Sequence, residues 1–178
     1  MDESPLGRFV SALARTSAIA GGVVLCVVTI TTVFSIIGRA LIPLGLSPIQ
    51  GDYELVEAGM AFAIFAFLPW CQFTRGHAIV AVVTDKLPVR FNAYTELVME
   101  FLTLILAVFL TWRHWVGMID KFGYGETSFI LRYPLWWAYA AGLIGATIWV
   151  VVCIYCVIRA ARNATSRAPV MPESEMAE

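Results

Sequence analysis

The sequence predicts an all-α membrane protein with four transmembrane helices, and composition and run length lead to that prediction. Hydrophobic residues make up 60% of the 178 residues and charged residues only 14%, whereas a soluble domain has about 45–50% and about 25%. The two longest uncharged runs, Thr16–Gly38 and Tyr133–Ile158, have 23 and 26 residues. A bilayer core about 30 Å thick needs roughly 20 helical residues, so each of these runs can span it unaided.

The two middle runs are shorter and need flanking residues to cross the bilayer. Ala58–Thr74 has 17 uncharged residues and becomes long enough if it takes in Glu57 or Tyr53. Phe101–Trp112 has only 12 and must extend through Asn92–Glu100, which carries two glutamates. The polar residues at the ends of these spans are therefore candidates for special roles.

One membrane domain and two flanking segments make up the predicted organisation. Arg8 and Arg15 precede an apolar run longer than the roughly 7–15 residues of a signal peptide, so the first run is expected to remain as a span. The C-terminal tail is rich in Pro, Ser and Glu and is expected to be disordered. The predicted boundaries are residues 1–15 for the N-terminal segment, 16–162 for the membrane domain with spans at 16–41, 53–74, 92–115 and 134–158, and 163–178 for the tail.

The basic residues predict the orientation of the chain. Eight of the twelve lysines and arginines fall at the termini and in the middle loop, and four fall on the opposite side. The positive-inside rule then places both termini in the cytoplasm and the first and third loops outside. Asp52 is expected to cap the second span. Residues 76–87 are too short to span and are expected to form a short interfacial helix, or to be the frayed end of span two.

Several classes of function are disfavoured by composition. The net charge of −1 lacks the basic footprint of a nucleic-acid partner. The two histidines, His77 and His114, are predicted on opposite sides of the membrane, which argues against a shared haem or zinc site. No phosphate-binding loop and no nucleophile–base pair is evident, so the sequence predicts neither an enzyme nor a cofactor site.

Two pairs of glutamates sit at opposite ends of the predicted bundle. Glu54 and Glu57 are three residues apart at the outer end of span two, and Glu96 and Glu100 are four apart at the inner end of span three. An ion or proton path would need acidic groups between them, and the apolar runs contain none. Interfacial solvation or ion pairs, for example from Arg75, are therefore favoured. The candidate structural or ion-pair residues are Glu54, Glu57, Arg75, His77, Glu96 and Glu100.

Small residues at helical spacing predict helix-packing faces. Such stripes let helix backbones approach closely, either within a bundle or against another membrane protein. Aromatic residues near the third loop are expected to anchor helix depth at one interface. The small residues are Ala138, Gly142 and Ala146 in span four, and Ala14, Ala18 and Gly22 in span one.

A Cys-x-x-Cys sequence, Cys153 to Cys156, leaves a rival class open. A four-span membrane thiol-redox enzyme would use such a pair, but its cysteines are expected in the outer loops, which contain none here. We therefore expect these thiols to act as small hydrophobic groups, with Cys26 and Cys71 alike. A self-sufficient small homo-oligomeric transporter is the second alternative.

The second span and the loop after it resemble a known family. The acidic start Asp52–Glu57, the apolar helix to Trp70, the stretch Thr74–Val80 containing Arg-Gly-His, and the following Leu87-Pro88 resemble the small membrane subunit of tripartite ATP-independent periplasmic (TRAP) transporters. The resemblance covers roughly residues 16–162. One departure is Ala81, where many members have an acidic residue.

The resemblance implies a small accessory subunit, without enzymatic activity, in the bacterial inner membrane. It implies that the chain scaffolds a large membrane subunit, that this partner holds the sodium and substrate sites, and that a periplasmic binding protein delivers an organic acid. The chain itself is then expected to bind no cofactor. We expect the outer loops to contact the binding protein, chiefly through Asp120, Lys121, Tyr124 and Glu126.

Overall fold

The computed structural model describes residues 5–74 and 89–165, which fold into four long helices. Each helix is long and apolar enough to cross a membrane, and the described residues form no strand. For the described residues, the prediction of a helical fold with four helices apolar enough to span a membrane is thereby confirmed. The helices are α1 (Pro5–Ala40), α2 (Asp52–Phe73), α3 (Val89–Tyr124) and α4 (Trp136–Thr165), with a 3-10 turn at Ile42–Leu44.

Three of the helices are longer than the predicted spans. Helix α1 begins at Pro5, within the segment predicted to precede the membrane domain. Helix α3 continues to Tyr124, so its last turns occupy what was expected to be loop, and α4 extends to Thr165, into the predicted tail. Residues 76–87, with their predicted interfacial helix, lie outside the described residues.

The expected cap of α2 is wrong in its position. Gly51 is the N-cap residue, with φ at 77°, and Asp52 is the first helical residue. The Asp52 Oδ1 atom accepts a hydrogen bond from the Tyr53 amide at 2.9 Å. Glycine adopts this left-handed conformation readily, so Gly51 takes the N-cap position that was expected for Asp52.

The helices are arranged around α2 and α4. Helix α1 packs against α2, α2 against α4, and α4 against α3, while α1 and α4 touch over a smaller area. At the end of the bundle that contains Pro5, which we call the terminal end, Val10 and Ala14 pack with Val152 and Cys156. The opposite end, which carries the two described connections, is called the loop end.

In the first half of α1, which packs against α2, the buried residues are spaced alternately three and four residues apart. The hydroxyl of Ser17 donates to the carbonyl oxygen of Ala66 at 2.9 Å, and a Cβ added at Gly21 would lie 2.9 Å from the Ala66 Cβ. This average spacing of 3.5 residues is typical of helices that cross at a small left-handed angle. The buried residues of α1 are Gly7, Val10, Ala14, Ser17, Gly21, Ser35 and Gly38.

The predicted packing stripe of α1 lies only in part on a contact face within this bundle, and packing of its remainder against another membrane protein stays a prediction. Gly22 has no atom within 4 Å of an added Cβ, whereas the preceding Gly21 faces α2. Ala14 is fully buried, but Ala18 is only half-buried. The stripe at four-residue spacing drifts off the contact face, because the actual face alternates steps of three and four.

Helix α4 approaches α2 at a point where a proline alters the backbone of α2. Pro69 lies inside α2 and has no N–H to donate to the carbonyl of Phe65, four residues earlier. A Cβ added at Gly145 would lie 2.8 Å from that carbonyl oxygen. The glycine therefore allows α4 to pack directly on the backbone of α2 next to the proline.

Candidate interaction site at the loop end

The carboxylate of Glu54 is the centre of the polar contacts at the loop end. It lies in the first turn of α2 and is only 4% exposed. Its oxygens accept hydrogen bonds from the Ser128 hydroxyl at 2.8 Å, the Ile130 amide at 2.7 Å and the Leu131 amide at 2.9 Å. All three donors belong to the connection between α3 and α4, so Glu54 fastens that connection to α2.

The connection forms a small hairpin that directs its amides towards Glu54. We call residues 126–135 the hairpin. The Ser128 amide donates to the Tyr133 carbonyl at 2.9 Å, and the Leu135 amide donates to the Glu126 carbonyl at 3.0 Å. Arg132 adopts φ of 54°, which closes the turn. Successive amides in such a turn form a concave anion-binding surface, which the Glu54 carboxylate fills.

Hydrogen bonds, rather than an arginine, compensate for the burial of this carboxylate. The described residues show no basic side chain in an ion pair with Glu54. Its position in the first turn of α2 also places its negative charge near the positive end of the helix dipole. Burial raises the pKa of the adjacent Tyr133 phenol, and the Glu54 carboxylate raises it further. Glu54 was predicted as a structural or ion-pair residue, and its contacts are hydrogen bonds within the protein, with no ion pair among the described residues.

Steric fit holds the hairpin against α2 as well. A Cβ added at Gly51 would lie 2.6 Å from the Leu131 Cγ. Gly51 also has positive φ, so two independent reasons require glycine here. The hairpin thus rests on the N-terminus of α2 through both a polar and an apolar contact.

The residues predicted to contact a binding protein surround the hairpin. The Lys121 Nζ and the Glu126 Oε2 atoms form an ion pair at 2.6 Å, so these two side chains partly neutralise each other. Asp120 is exposed, and Tyr124 is 79% exposed at the end of α3. Phe129, at the hairpin tip, is 90% exposed and was not identified from the sequence. Phe129 differs from the nearby aromatic residues only by its position in a tight turn, and that position is seen only in the folded chain.

The second member of the outer glutamate pair has a different environment. Glu57 is exposed, although it lies three residues after the buried Glu54. The two side chains share one region of the helix, but only Glu54 lies beneath the hairpin. Their spacing therefore does not produce a paired acidic site.

A buried polar contact also occurs at the terminal end. The Gln72 amide donates to the Glu100 Oε2 at 2.5 Å, joining α2 to α3. Glu100 is 7% exposed, whereas Glu96 is half-buried. Arg75, the predicted ion-pair partner, and the candidate His77 lie outside the described residues, so the expected ion pair remains a prediction. Gln72 lacks charge and was not identified from the sequence.

His114 and the small residues of α4 form part of the helix interface. The His114 ring nitrogen Nε2 lies 3.0 Å from the Tyr139 carbonyl oxygen, and the ring stacks on Tyr139 and is tilted against Phe65. A Cβ added at Gly142 would lie 2.9 Å from that Nε2. Gly142 and Ala146 are buried and Ala138 is half-buried.

No metal centre is evident in the described ranges 5–74 and 89–165. Within them, no three His, Cys, Asp or Glu side chains come together as ligands. Their four cysteines are free thiols, and Cys153 and Cys156 are buried in the helix interface. The contacts of Ser17, Glu54 and Gln72 join helices or the hairpin to one another.

The fold and this site define a small multi-pass membrane protein whose buried polar groups stabilise its own architecture. A family model described as "Tripartite ATP-independent periplasmic transporters, DctQ component" matches residues 28–163, well over half of the chain. The chain therefore belongs to this family, the small membrane component of TRAP transporters, and the resemblance inferred from the sequence is confirmed. No curated protein and no solved structure matches the chain.

Proposed function

We propose that this chain is the accessory subunit of a sodium-gradient-driven organic-acid uptake transporter in the bacterial inner membrane. In this proposal it scaffolds a large permease subunit, which holds the sodium and substrate sites, and helps to dock a periplasmic binding protein. Both termini are cytoplasmic, and the loop end faces the periplasm. Family membership supports the transporter role, and the hairpin fastened by Glu54 is the observation that supports docking.

The scaffolding role is supported by threonine hydroxyls that donate hydrogen bonds to their own helices. The Thr29 and Thr31 hydroxyls donate to the carbonyls four residues earlier at 2.8 Å, and Thr147 donates to its own helix in the same way. Such contacts satisfy the hydroxyls locally. The threonine hydroxyls therefore point along the backbone of their own helix rather than into a path for a solute.

The docking role is supported by the shape of the loop end. Phe129 projects from a hairpin that is held by three hydrogen bonds to one carboxylate, and Tyr124 projects from the end of α3 beside it. Exposed aromatic residues on a pre-organised backbone are typical of interface anchors, because little conformational entropy is lost on binding. Asp120 and the Lys121–Glu126 pair add polar groups at the rim of this surface.

The docking proposal is tested with Tyr124→Ala in proteoliposomes that contain both membrane subunits. We expect the concentration of binding protein that gives half-maximal uptake to rise about fivefold or more, as for an interface anchor. Tyr94→Ala is the matched control, because Tyr94 is on the same helix, is 62% exposed and lies at the terminal end. Co-purification of the large subunit should be unchanged in both variants. Equal effects of the two variants on uptake would contradict the proposal.

The two rival functions predict different outcomes. A self-sufficient transporter predicts solute flux when this chain alone is reconstituted into liposomes, whereas an accessory subunit predicts none. A thiol-redox enzyme predicts loss of function when Cys26, Cys71, Cys153 and Cys156 are all replaced, whereas we expect uptake to persist.

A further inference from the structure

Arg159 occupies an unusual position near the end of α4. Its side chain is half-buried, and its guanidinium carbon lies 5.9 Å from the centre of the Phe73 ring. Its Nη2 atom is 4.0 Å from the Cys156 Sγ. A cationic group is therefore held against an aromatic ring and a thiol, which remove much of its hydration.

The hydrogen-bonding capacity of this guanidinium is only partly used. The Arg159 Nε atom is enclosed by protein and has no acceptor. Among residues 5–74 and 89–165, no carboxylate forms an ion pair with Arg159. A partly desolvated arginine that has no counter-ion among the described residues is costly, so binding of an anion to its Nη groups would be favourable.

The depth of Arg159 in the bundle indicates where such an anion would come from. The uncharged stretch from Trp136 to Ile158 is 23 residues long, or about 34 Å as a helix. Arg159 follows it directly, which places its guanidinium at the level of the lipid headgroups if this stretch crosses the hydrocarbon core. Phe73 stacks between Trp70 and Tyr155, forming an aromatic row typical of this depth.

Other cations lie at the same end of the bundle. Arg8 and Arg15 are exposed on α1, and the intervening Val10 and Ala14 pack against the last turns of α4. This end therefore attracts anionic rather than zwitterionic headgroups.

We propose that Arg159 anchors a binding site for the phosphate of an anionic phospholipid. The Nη groups donate hydrogen bonds to the phosphate oxygens, while Phe73 and Cys156 hold the guanidinium in place. A lipid is favoured over a carboxylate of another subunit because phosphates are always present at this depth. The proposal does not depend on the proposed transport function, since it holds for either orientation of the chain.

The test measures lipid binding to the purified full-length chain by native mass spectrometry. The probes are phosphatidylglycerol and phosphatidylcholine with identical acyl chains. We expect wild-type protein to retain phosphatidylglycerol preferentially, and Arg159→Gln to weaken that binding roughly tenfold through loss of charge-assisted hydrogen bonds. Arg39→Gln, an exposed arginine at the loop end, is the matched control and should change binding less than about twofold.

Several results would overturn the proposal. It is wrong if Arg159→Gln binds phosphatidylglycerol as wild type does, or if the two lipids bind wild type equally. Loss of a co-purifying membrane subunit with unchanged lipid binding would instead assign the guanidinium to a protein carboxylate. If Arg159→Gln does not fold, the proposal is tested by the melting temperature of the wild-type protein. Phosphatidylglycerol should raise this temperature more than phosphatidylcholine or millimolar inorganic phosphate does. Equal shifts would refute the site.

Discussion

A carboxylate removed from solvent remains ionised only where its oxygens accept enough hydrogen bonds, and Glu54 meets that condition through the hairpin. The Ile130 and Leu131 donors are backbone amides, so side-chain substitution in the hairpin, except to proline, cannot remove them. The contact therefore constrains the hairpin backbone itself. It makes Glu54 a positioning residue for whatever the hairpin tip contacts.

Replacing Glu54 by glutamine tests this role. The amide nitrogen of glutamine cannot accept a hydrogen bond, so at least one buried donor loses its partner, and we expect a loss of about 1–3 kcal/mol in the free energy of unfolding. Thermal unfolding of the purified protein in mild detergent measures it. Glu57→Gln, at an exposed position one turn later, should change stability by no more than about 0.5 kcal/mol. Equal losses in the two variants would argue against the buried contact.

The Gln72–Glu100 contact is a second residue-scale feature, at the terminal end. A double-mutant cycle with Gln72→Leu and Glu100→Leu isolates the coupling between them. We expect about 0.6–2 kcal/mol, as for hydrogen bonds between membrane helices. Additive effects on thermal unfolding would show that the two side chains act independently.

At the scale of the helices, close approach of α1 and α2 depends on the side of α1 that carries Gly21. Composition revealed that α1 has small residues, but not which of the neighbouring glycines faces α2. A one-residue step rotates a side chain by about 100°, so Gly21 and Gly22 face different surroundings. Tertiary packing alone selects between them.

Alanine at these two glycines tests the helix register. Gly21→Ala places a Cβ 2.9 Å from the Ala66 Cβ, so we expect the helices to separate slightly at a cost of about 1–3 kcal/mol. Gly22→Ala meets no atom within 4 Å and should be neutral or slightly stabilising. Thermal unfolding of the two variants side by side gives the difference. A greater loss with Gly22→Ala would contradict the observed register.

At the scale of the whole molecule, the orientation of the bundle decides which partner each end meets. A variant in which the four cysteines are replaced allows single cysteines to be placed at Asp120 and Arg8. With the loop end in the periplasm, a membrane-impermeant maleimide should label the cysteine at position 120 in intact cells after outer-membrane permeabilisation. The cysteine at position 8 should react only after the inner membrane is opened. The reverse pattern would overturn the proposed orientation.

Hydropathy alone determined that this chain has four apolar helices, because a helix that crosses a bilayer must satisfy its backbone internally and cover itself with apolar side chains. Motifs along the second span then indicated the family. Sequence spacing placed Glu54 and Glu57 together, yet only the folded chain shows that one is buried and the other exposed. The donors of Glu54 lie more than 70 residues away, between 128 and 131. Such contacts depend on how helices and turns are juxtaposed, and that arrangement is decided by packing across the whole bundle.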